Sequence, residues 1–196
     1  MKITLSIEKN IDEFCEKYKN EIDWVELCKH HELKEPFIRK FKDYVDWVRI
    51  SEFHSNNVSE EFLIEFKDYF DWAEVCYCRN MSEELMEKCA DYLDWDRVAV
   101  EQTLSESFIR KYIEKFNCSW YNITRCQKLS ETFVSEFVPD VCLKDVFEND
   151  DSFLNFSVGF LMRHSKYIDK YKLIYLKDYL SEEDYRLLKA VCEIKT

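Results

Sequence analysis

One repeated position constrains this chain more than any other feature: its five tryptophans stand at equivalent sites, at intervals of 23, 25, 23 and 25 residues. They are Trp24, Trp47, Trp72, Trp95 and Trp120, and Leu143 continues the series after another 23 residues. The stretches FKDYVDWVRIS at 41–51 and FKDYFDWAEVC at 66–76 are near copies. Repeats of about 20 to 50 residues fold as stacked arrays, because one repeat cannot bury its apolar face alone. We expect the tryptophans to form the structural core, as wedges between repeats.

Within each repeat the apolar residues follow the period of an α-helix. They fall at i, i+1, i+4 and i+8, as at Phe37, Ile38, Phe41 and Val45, and predict a first helix of about three turns. A Ser-Glu pair precedes several of these helices; the hydroxyl caps free backbone N–H groups, and the acid meets the positive helix end. These pairs lie at 59–60, 82–83, 105–106 and 130–131.

An aspartate directly before the tryptophan predicts the start of a second, shorter helix. These aspartates are Asp23, Asp46, Asp71 and Asp94. Each repeat is therefore predicted to be a small helical hairpin. Gly occurs once and Pro twice among 196 residues, so the chain has few of the residues that tight turns and β-hairpins require.

The predicted fold is all-α: a solenoid of about six helical-hairpin repeats of 23–25 residues with a divergent C-terminal helical cap. The array is assigned to residues 1–152 and the cap to residues 153–196, packed together as one continuous domain.

Pro139 should end or kink the first helix of the sixth repeat. Four tyrosines of the cap, four residues apart, predict a stripe that is either half-buried packing or a binding strip. They are Tyr167, Tyr171, Tyr175 and Tyr179.

The sequence contains no recognisable catalytic or metal-binding motif. Nine Cys and four His are present, but none has a CxxC or CxxC…HxxxH spacing, and one Gly cannot supply a P-loop or dinucleotide fingerprint. Cys28 and Cys76 stand four positions after a tryptophan, where small residues recur and a neighbouring helix would pack closely. We therefore predict a protein that is not an enzyme and has no catalytic residues, metal site or cofactor.

Charge and hydropathy narrow the location and the partners. The formal net charge of −12 argues against direct nucleic-acid binding, since phosphate contacts need clustered Lys and Arg. No apolar stretch approaches the roughly 20 residues of a membrane span, and MKITLSIEKN lacks the pattern of a signal peptide. We expect an intracellular, cytoplasmic protein that does not bind membranes, and the sequence leaves its oligomeric state open.

Acids and tyrosines repeat at two adjacent positions near the end of the predicted first helices. They are Asp43, Asp68 and Asp91, followed by Tyr44, Tyr69 and Tyr92. Stacking would place an acidic row beside a tyrosine row. Two interpretations are open: a solvated face whose tyrosines lie half over the core, or a partner-binding surface whose acids attract a basic protein.

The acids are banded along the chain, and this leads to two hypotheses about function. Residues 59–104 carry 13 acids and 4 bases, residues 105–129 carry 2 and 5, and residues 130–156 carry 7 and 1. The first hypothesis is a non-catalytic helical-repeat module that binds a basic surface of a partner protein. The alternative is an acidic mimic of nucleic acid that inhibits a host nucleic-acid-binding enzyme. Because duplex DNA carries a charge about every 1.7 Å, mimicry requires the acids to gather on one face.

The stretch SEEFLIEFKDYFDWAEV at residues 59–75 shows the repeat in its clearest form. Its pattern Ser-Glu-x-Phe…Asp-Trp resembles the short Asp-Trp helical repeats of uncharacterised proteins encoded by large DNA viruses and phages. The resemblance covers about three-quarters of the chain. It implies no activity and no catalytic residue. It implies a role in host interaction, or in the structure or assembly of a virus, and therefore a location in an infected cell or a virion.

Overall fold

The computed structural model describes residues 11–116, 120–139, 142–148 and 156–194. Those residues form fifteen α-helices joined by short turns, and they contain no β-strand. Helical hairpins recur along the chain, so the predicted all-α repeat fold is confirmed. The chain divides into two compact units between Asp94 and Trp95.

The N-terminal unit contains three helical hairpins and the first helix of the fourth repeat. Its helices are α1 (Ile11–Tyr18), α2 (Trp24–His30), α3 (Glu35–Lys40), α4 (Trp47–His54), α5 (Glu60–Glu65), α6 (Trp72–Cys78) and α7 (Glu83–Lys88). The second helices of consecutive repeats pack side by side, α2 on α4 and α4 on α6, and the first helices α5 and α7 also pack together. Each hairpin therefore buries its apolar face against its neighbours, as repeat arrays do.

The C-terminal unit follows the same plan. Its helices are α8 (Trp95–Glu101), α9 (Glu106–Lys111), α10 (Trp120–Cys126), α11 (Glu131–Phe137), α12 (Leu143–Glu148), α13 (Val158–Arg163), α14 (Lys170–Leu176) and α15 (Glu182–Ile194). The second helices α8, α10 and α12 pack in succession, and α13 packs on α15. Helix α11 ends at Phe137, before Pro139, as the sequence predicts.

Serine and aspartate caps begin the helices at the predicted positions. The Ser59 hydroxyl accepts a hydrogen bond from the Phe62 N–H at 3.1 Å and closes the free end of α5. The Asp46 carboxylate accepts from the Arg49 N–H at 3.0 Å at the start of α4. The same arrangement recurs at Ser82, Ser105, Ser130, Asp23 and Asp71.

The first helix of a repeat is shorter than the three turns that the periodicity predicts. Helices α3, α5, α7 and α9 contain six residues each and end at a bend, such as Phe41 (φ −109°, ψ 24°) or Phe66 (φ −109°, ψ 23°). A turn follows, in which the Val45 N–H donates to the Phe41 carbonyl at 3.0 Å. The predicted length is wrong because this turn places the i+8 residue on the core face, just as a continuous helix would. The apolar periodicity is therefore the same for both arrangements and does not distinguish them.

Each tryptophan side chain joins two repeats. In the N-terminal unit the indole N–H donates to the backbone carbonyl five residues earlier in its own hairpin. These bonds join Trp24 to Lys19 at 2.9 Å, Trp47 to Lys42 at 2.8 Å and Trp72 to Lys67 at 2.8 Å. The ring packs on the following repeat: its centroid lies 5.4 Å from that of Phe41 for Trp24 and 5.3 Å from that of Phe66 for Trp47. Trp72 is buried, whereas Trp24 and Trp47 are half-buried.

The hairpin pattern continues into the region predicted as a divergent cap. The Ser157 hydroxyl caps α13 by accepting from the Phe160 N–H at 3.2 Å, and Asp169 caps α14. Phe160 stands nine residues before Asp169, the interval found in the second and third repeats. This seventh hairpin is not evident from the sequence, because Lys170 occupies the tryptophan position. The predicted boundary at 152/153 lies outside the described residues.

Candidate partner-binding surface

The six predicted contact residues lie just after the bends that end α3, α5 and α7, on the surface of the N-terminal unit. They are Asp43, Tyr44, Asp68, Tyr69, Asp91 and Tyr92, and all six are exposed. They occupy the second and third positions beyond each bend, so the same local geometry brings out the same pair in three consecutive repeats. We call this set the Asp-Tyr row.

Each tyrosine of the row rests on the tryptophan of the preceding repeat. The ring centroids lie 5.6 Å apart for Tyr44 and Trp24, 4.9 Å for Tyr69 and Trp47, and 6.2 Å for Tyr92 and Trp72. The tyrosines nevertheless keep 39, 45 and 36% of their surfaces exposed. The packed tryptophans hold the rings in place, while their exposed surface remains available for contact.

A hydrogen bond and nearby cations position the row further. The Tyr92 hydroxyl donates to the Asp68 carboxylate of the preceding repeat, and this bond raises the pKa of Tyr92. The Lys67 ammonium lies 5.1 Å from the centre of the Tyr92 ring, and that of Lys19 lies 5.6 Å from the centre of the Tyr44 ring. Both distances are in the cation–π range. The positions of these acids and rings therefore depend on contacts between repeats.

A second exposed row lies on the second helices of the same unit. Val25 on α2, Val48 and Phe53 on α4, and Tyr77 on α6 are 38, 52, 45 and 59% exposed. Val25 and Val48 both directly follow a tryptophan, but Phe53 and Tyr77 stand six and five positions after theirs, so no single repeated position marks the row. Their shared exposure identifies them only in the structure, where they add apolar area to the surface.

The glutamate of the Ser-Glu pair binds the next repeat, a contact that the sequence did not predict. Glu60 accepts from the Ser82 N–H at 3.1 Å and from the Ser82 hydroxyl at 2.6 Å. Glu131 accepts from the Ser157 hydroxyl at 3.0 Å in the same way. Glu106 binds Ser130 likewise, and Glu35, which follows Lys34 instead of a serine, accepts from the Ser59 N–H. The recurring Ser-Glu pair therefore serves both helix capping and repeat stacking.

A buried polar residue seven positions after the tryptophan also joins consecutive repeats. The Gln127 amide donates to the Ala99 and Gln102 carbonyls at 2.9 and 2.7 Å. His54 Nε2 lies 2.7 Å from the Cys28 carbonyl and therefore carries the proton that it donates. These bonds satisfy carbonyls near the C-terminal ends of second helices. The residue type varies at this position, so the periodicity did not reveal the contact.

The cysteines four positions after the tryptophan occupy a tightly packed contact. Cys28 and Cys76 are fully buried, and burial raises the pKa of the Cys28 thiol from 9.0 to about 11. At the equivalent position the Ser51 hydroxyl accepts from the Asp71 N–H of the next repeat at 2.9 Å. In the part of the chain that the structure describes, no group of three or more His, Cys, Asp or Glu residues is placed to hold a metal ion.

Comparison with known proteins assigns no family. A scan against protein-family models and searches of curated proteins and solved structures found no match. Within the described ranges, no helix is both long and apolar enough to cross a membrane. A functional argument therefore depends on the surface of the molecule.

Proposed function

We propose that this protein is a non-catalytic helical-repeat module that binds the basic surface of a partner protein through its Asp-Tyr row. The observation that carries the proposal is the row itself: exposed aspartates stand beside tyrosine rings that are half-exposed and supported by tryptophans. Rigid tyrosines supply contact area at small entropic cost, and the acids steer a cationic partner toward them.

The position of the aspartates supports a binding role. Asp46 and Asp71 cap helices, whereas Asp43 and Asp68 lie three residues earlier, exposed and outside the caps. The net charge of −12 favours a basic partner over an acidic one. On the resemblance to viral Asp-Trp repeats, the proposed partner is a protein of the host.

The alternative, a mimic of nucleic acid, has less support from the same acids. Several acids in the strongly acidic band form contacts within the fold. Glu60 binds Ser82, Glu65 pairs with Arg39 at 2.9 Å, Asp71 caps α6, and Glu84 pairs with Lys88 at 2.6 Å. Acids held by caps and ion pairs are poorly placed to imitate the regular phosphates of a duplex.

The test is affinity purification from host cells with three forms of the protein, followed by mass spectrometry. The row variant carries Asp43→Asn, Asp68→Asn and Asp91→Asn. The control carries Glu13→Gln, Glu21→Gln and Glu61→Gln, which are exposed acids outside the row. Each variant removes three negative charges, so the net charge changes equally, from −12 to −9. Equal net charge separates the effect of the row from that of overall acidity.

We expect the wild-type protein and the control to recover a partner with a basic surface, and the row variant to lose it. Equal recovery by both variants would show that the partner binds elsewhere. Recovery of nucleic-acid enzymes alone, with loss at raised salt, would favour the mimic.

A further inference from the structure

Helix α14 exposes an apolar face that lies at an unusual position in the repeat. Tyr171, Ile174 and Tyr175 are 71, 62 and 44% exposed, while Leu173 and Leu176 on the opposite side are buried. These three exposed residues fall at i, i+3 and i+4, which is one side of a helix. We call them the α14 face.

The equivalent residues of other repeats show why this face is exposed. Ile174 stands four residues after the position of the repeat tryptophan, counted from the capping Asp169. At that position Ser51 contacts the second helix of the next repeat through the Asp71 N–H. The residues at this position are Cys28, Ser51, Cys76, Ala99 and Thr124, all with no exposed surface. Ile174 thus occupies a site that is elsewhere buried by packing.

Lysines flank the α14 face, in contrast to the acidic character of the whole chain. Lys170 and Lys177 lie on one edge of the helix and Lys172 on the other, and the Lys170 ammonium lies 5.1 Å from the centre of the Tyr171 ring. Residues 157–181 carry five Lys or Arg and two Asp, whereas the complete chain has a net charge of −12. A surface that covers this face should therefore be acidic and contain apolar or aromatic groups.

We infer that the α14 face binds the Asp-Tyr row of a second copy of this chain. The inference rests on the proposed function, because it assigns to the same Asp-Tyr row a second basic surface besides that of the host partner. The spacing supports it: Lys170 and Lys177 are seven helical residues apart, or about 10 Å. Asp43 and Asp68 belong to adjacent repeats, and packed helices are about 8–10 Å apart. Tyr171 and Ile174 then meet the tyrosine rings of the row.

The contact joins two different surfaces, so it is heterologous, and a bound pair keeps one free Asp-Tyr row on one chain and one free α14 face on the other. A single short helix covers little area, and two chains of charge −12 repel each other, so the association is weak and depends on concentration. A growing open chain of copies is the expected product at high concentration.

Charge reversal on each surface separately tests the inference by sedimentation equilibrium of the full chain. The face variant carries Lys170→Glu and Lys177→Glu; the row-reversal variant carries Asp43→Lys and Asp68→Lys. We expect the wild type to show a mass above the monomer at concentrations up to about 0.5 mM, the weak end of specific binding. Each variant alone should be monomeric. An equal mixture should associate again, because it restores an Asp-Tyr row and an α14 face of native sequence.

The control carries Lys128→Glu and Lys189→Glu. It has the same net charge as the face variant, since four units of charge change in both. It should associate like the wild type. The inference is overturned if the wild type stays monomeric, or if the mixture does not associate. Association of the row-reversal variant alone would show that α14 faces pair with each other. The face variant keeps an intact Asp-Tyr row. If the wild type does not self-associate but the face variant still recovers a host partner in the affinity purification, the inference fails and the proposed function stands.

Discussion

At the scale of single residues, one side chain often connects two repeats. Trp72 donates its indole N–H to Lys67 within its own hairpin and packs its ring near Tyr92 of the next. Gln127 links its repeat to the carbonyls of Ala99 and Gln102. Because one repeat is too small to bury these groups alone, each such residue stabilises both the hairpin and the stack.

Replacement of Trp72 should therefore destabilise the protein strongly. Trp72 is 5% exposed, and Trp72→Ala removes a large buried ring and leaves a cavity, at an expected cost of about 3–5 kcal/mol in the free energy of unfolding. Val48→Ala, at a residue that is 52% exposed, should change it by about 0.5 kcal/mol or less. Urea unfolding measures both. An unchanged midpoint for Trp72→Ala would contradict the role of the tryptophan as a wedge.

The cysteines should differ sharply in reactivity. Cys126 is exposed, whereas Cys28 is buried and its pKa is raised from 9.0 to about 11. Below pH 9.0 a shift of this size lowers the thiolate fraction about a hundredfold, and the thiolate is the reactive form. Alkylation of the native protein, followed by peptide mass mapping, should label Cys126 and spare Cys28 until denaturant is added. Early labelling of Cys28 would contradict its burial.

At the scale of the helical element, capping and stacking share the same residues. Ser82 accepts from the Leu85 N–H to begin α7, and it also donates its hydroxyl to Glu60 of the preceding repeat. The start of one helix is therefore held by the start of another. The sequence predicts the cap, because capping depends on residues close in the chain, but it does not predict the link to the neighbouring repeat.

The adjacent residues Glu60 and Glu61 provide a matched test of this link. Glu60→Ala removes the acceptor for Ser82 and should lower the free energy of unfolding by about 0.5–1.5 kcal/mol. Glu61 is exposed, so Glu61→Ala should change it by about 0.5 kcal/mol or less. A double-mutant cycle with Ser82→Ala should show a coupling energy for Glu60 and none for Glu61. Equal effects of both substitutions would mean that the Glu60–Ser82 contact contributes nothing.

At the scale of the whole molecule, we expect the stability of each helix to depend mainly on its own repeat and the adjacent repeats. In a repeat protein each repeat contacts mainly its neighbours, so stability is roughly a sum of repeat and interface contributions. The described helices show this pattern within each compact unit, where α4 packs on α2 and α6, and α10 packs on α8 and α12. A perturbation should therefore weaken with distance along the chain.

Hydrogen exchange of the Trp72→Ala protein measures this locality. Amides of α5, α6 and α7 should exchange faster than in the wild type, because their shared packing is weakened. Amides of α10 and α11, in the other compact unit, should keep their protection. The reciprocal variant Trp120→Ala should reverse the pattern. Uniform loss of protection in both variants would show one cooperative unfolding transition instead.

The amino-acid sequence by itself determined the all-α class, the hairpin repeat and the serine and aspartate caps. These follow from short-range rules: helical periodicity, capping chemistry and the scarcity of Gly and Pro. The positions of Asp43 and Tyr44 and their counterparts were also evident, because the same residue types recur at a regular interval. Their exposure, and the tryptophan beneath each tyrosine, required the structure.

Tertiary packing decided the features that depend on what each residue meets in a neighbouring repeat. Glu60 and Gln127 bind partners more than 20 residues away, and capping or periodicity rules do not specify such distant partners. The first helices end after six residues at a bend, and the turn that follows brings the i+8 residue back to the core. Ile174 is exposed where its equivalents are buried, because exposure depends on whether another helix covers the site, and one repeat's residues do not specify that.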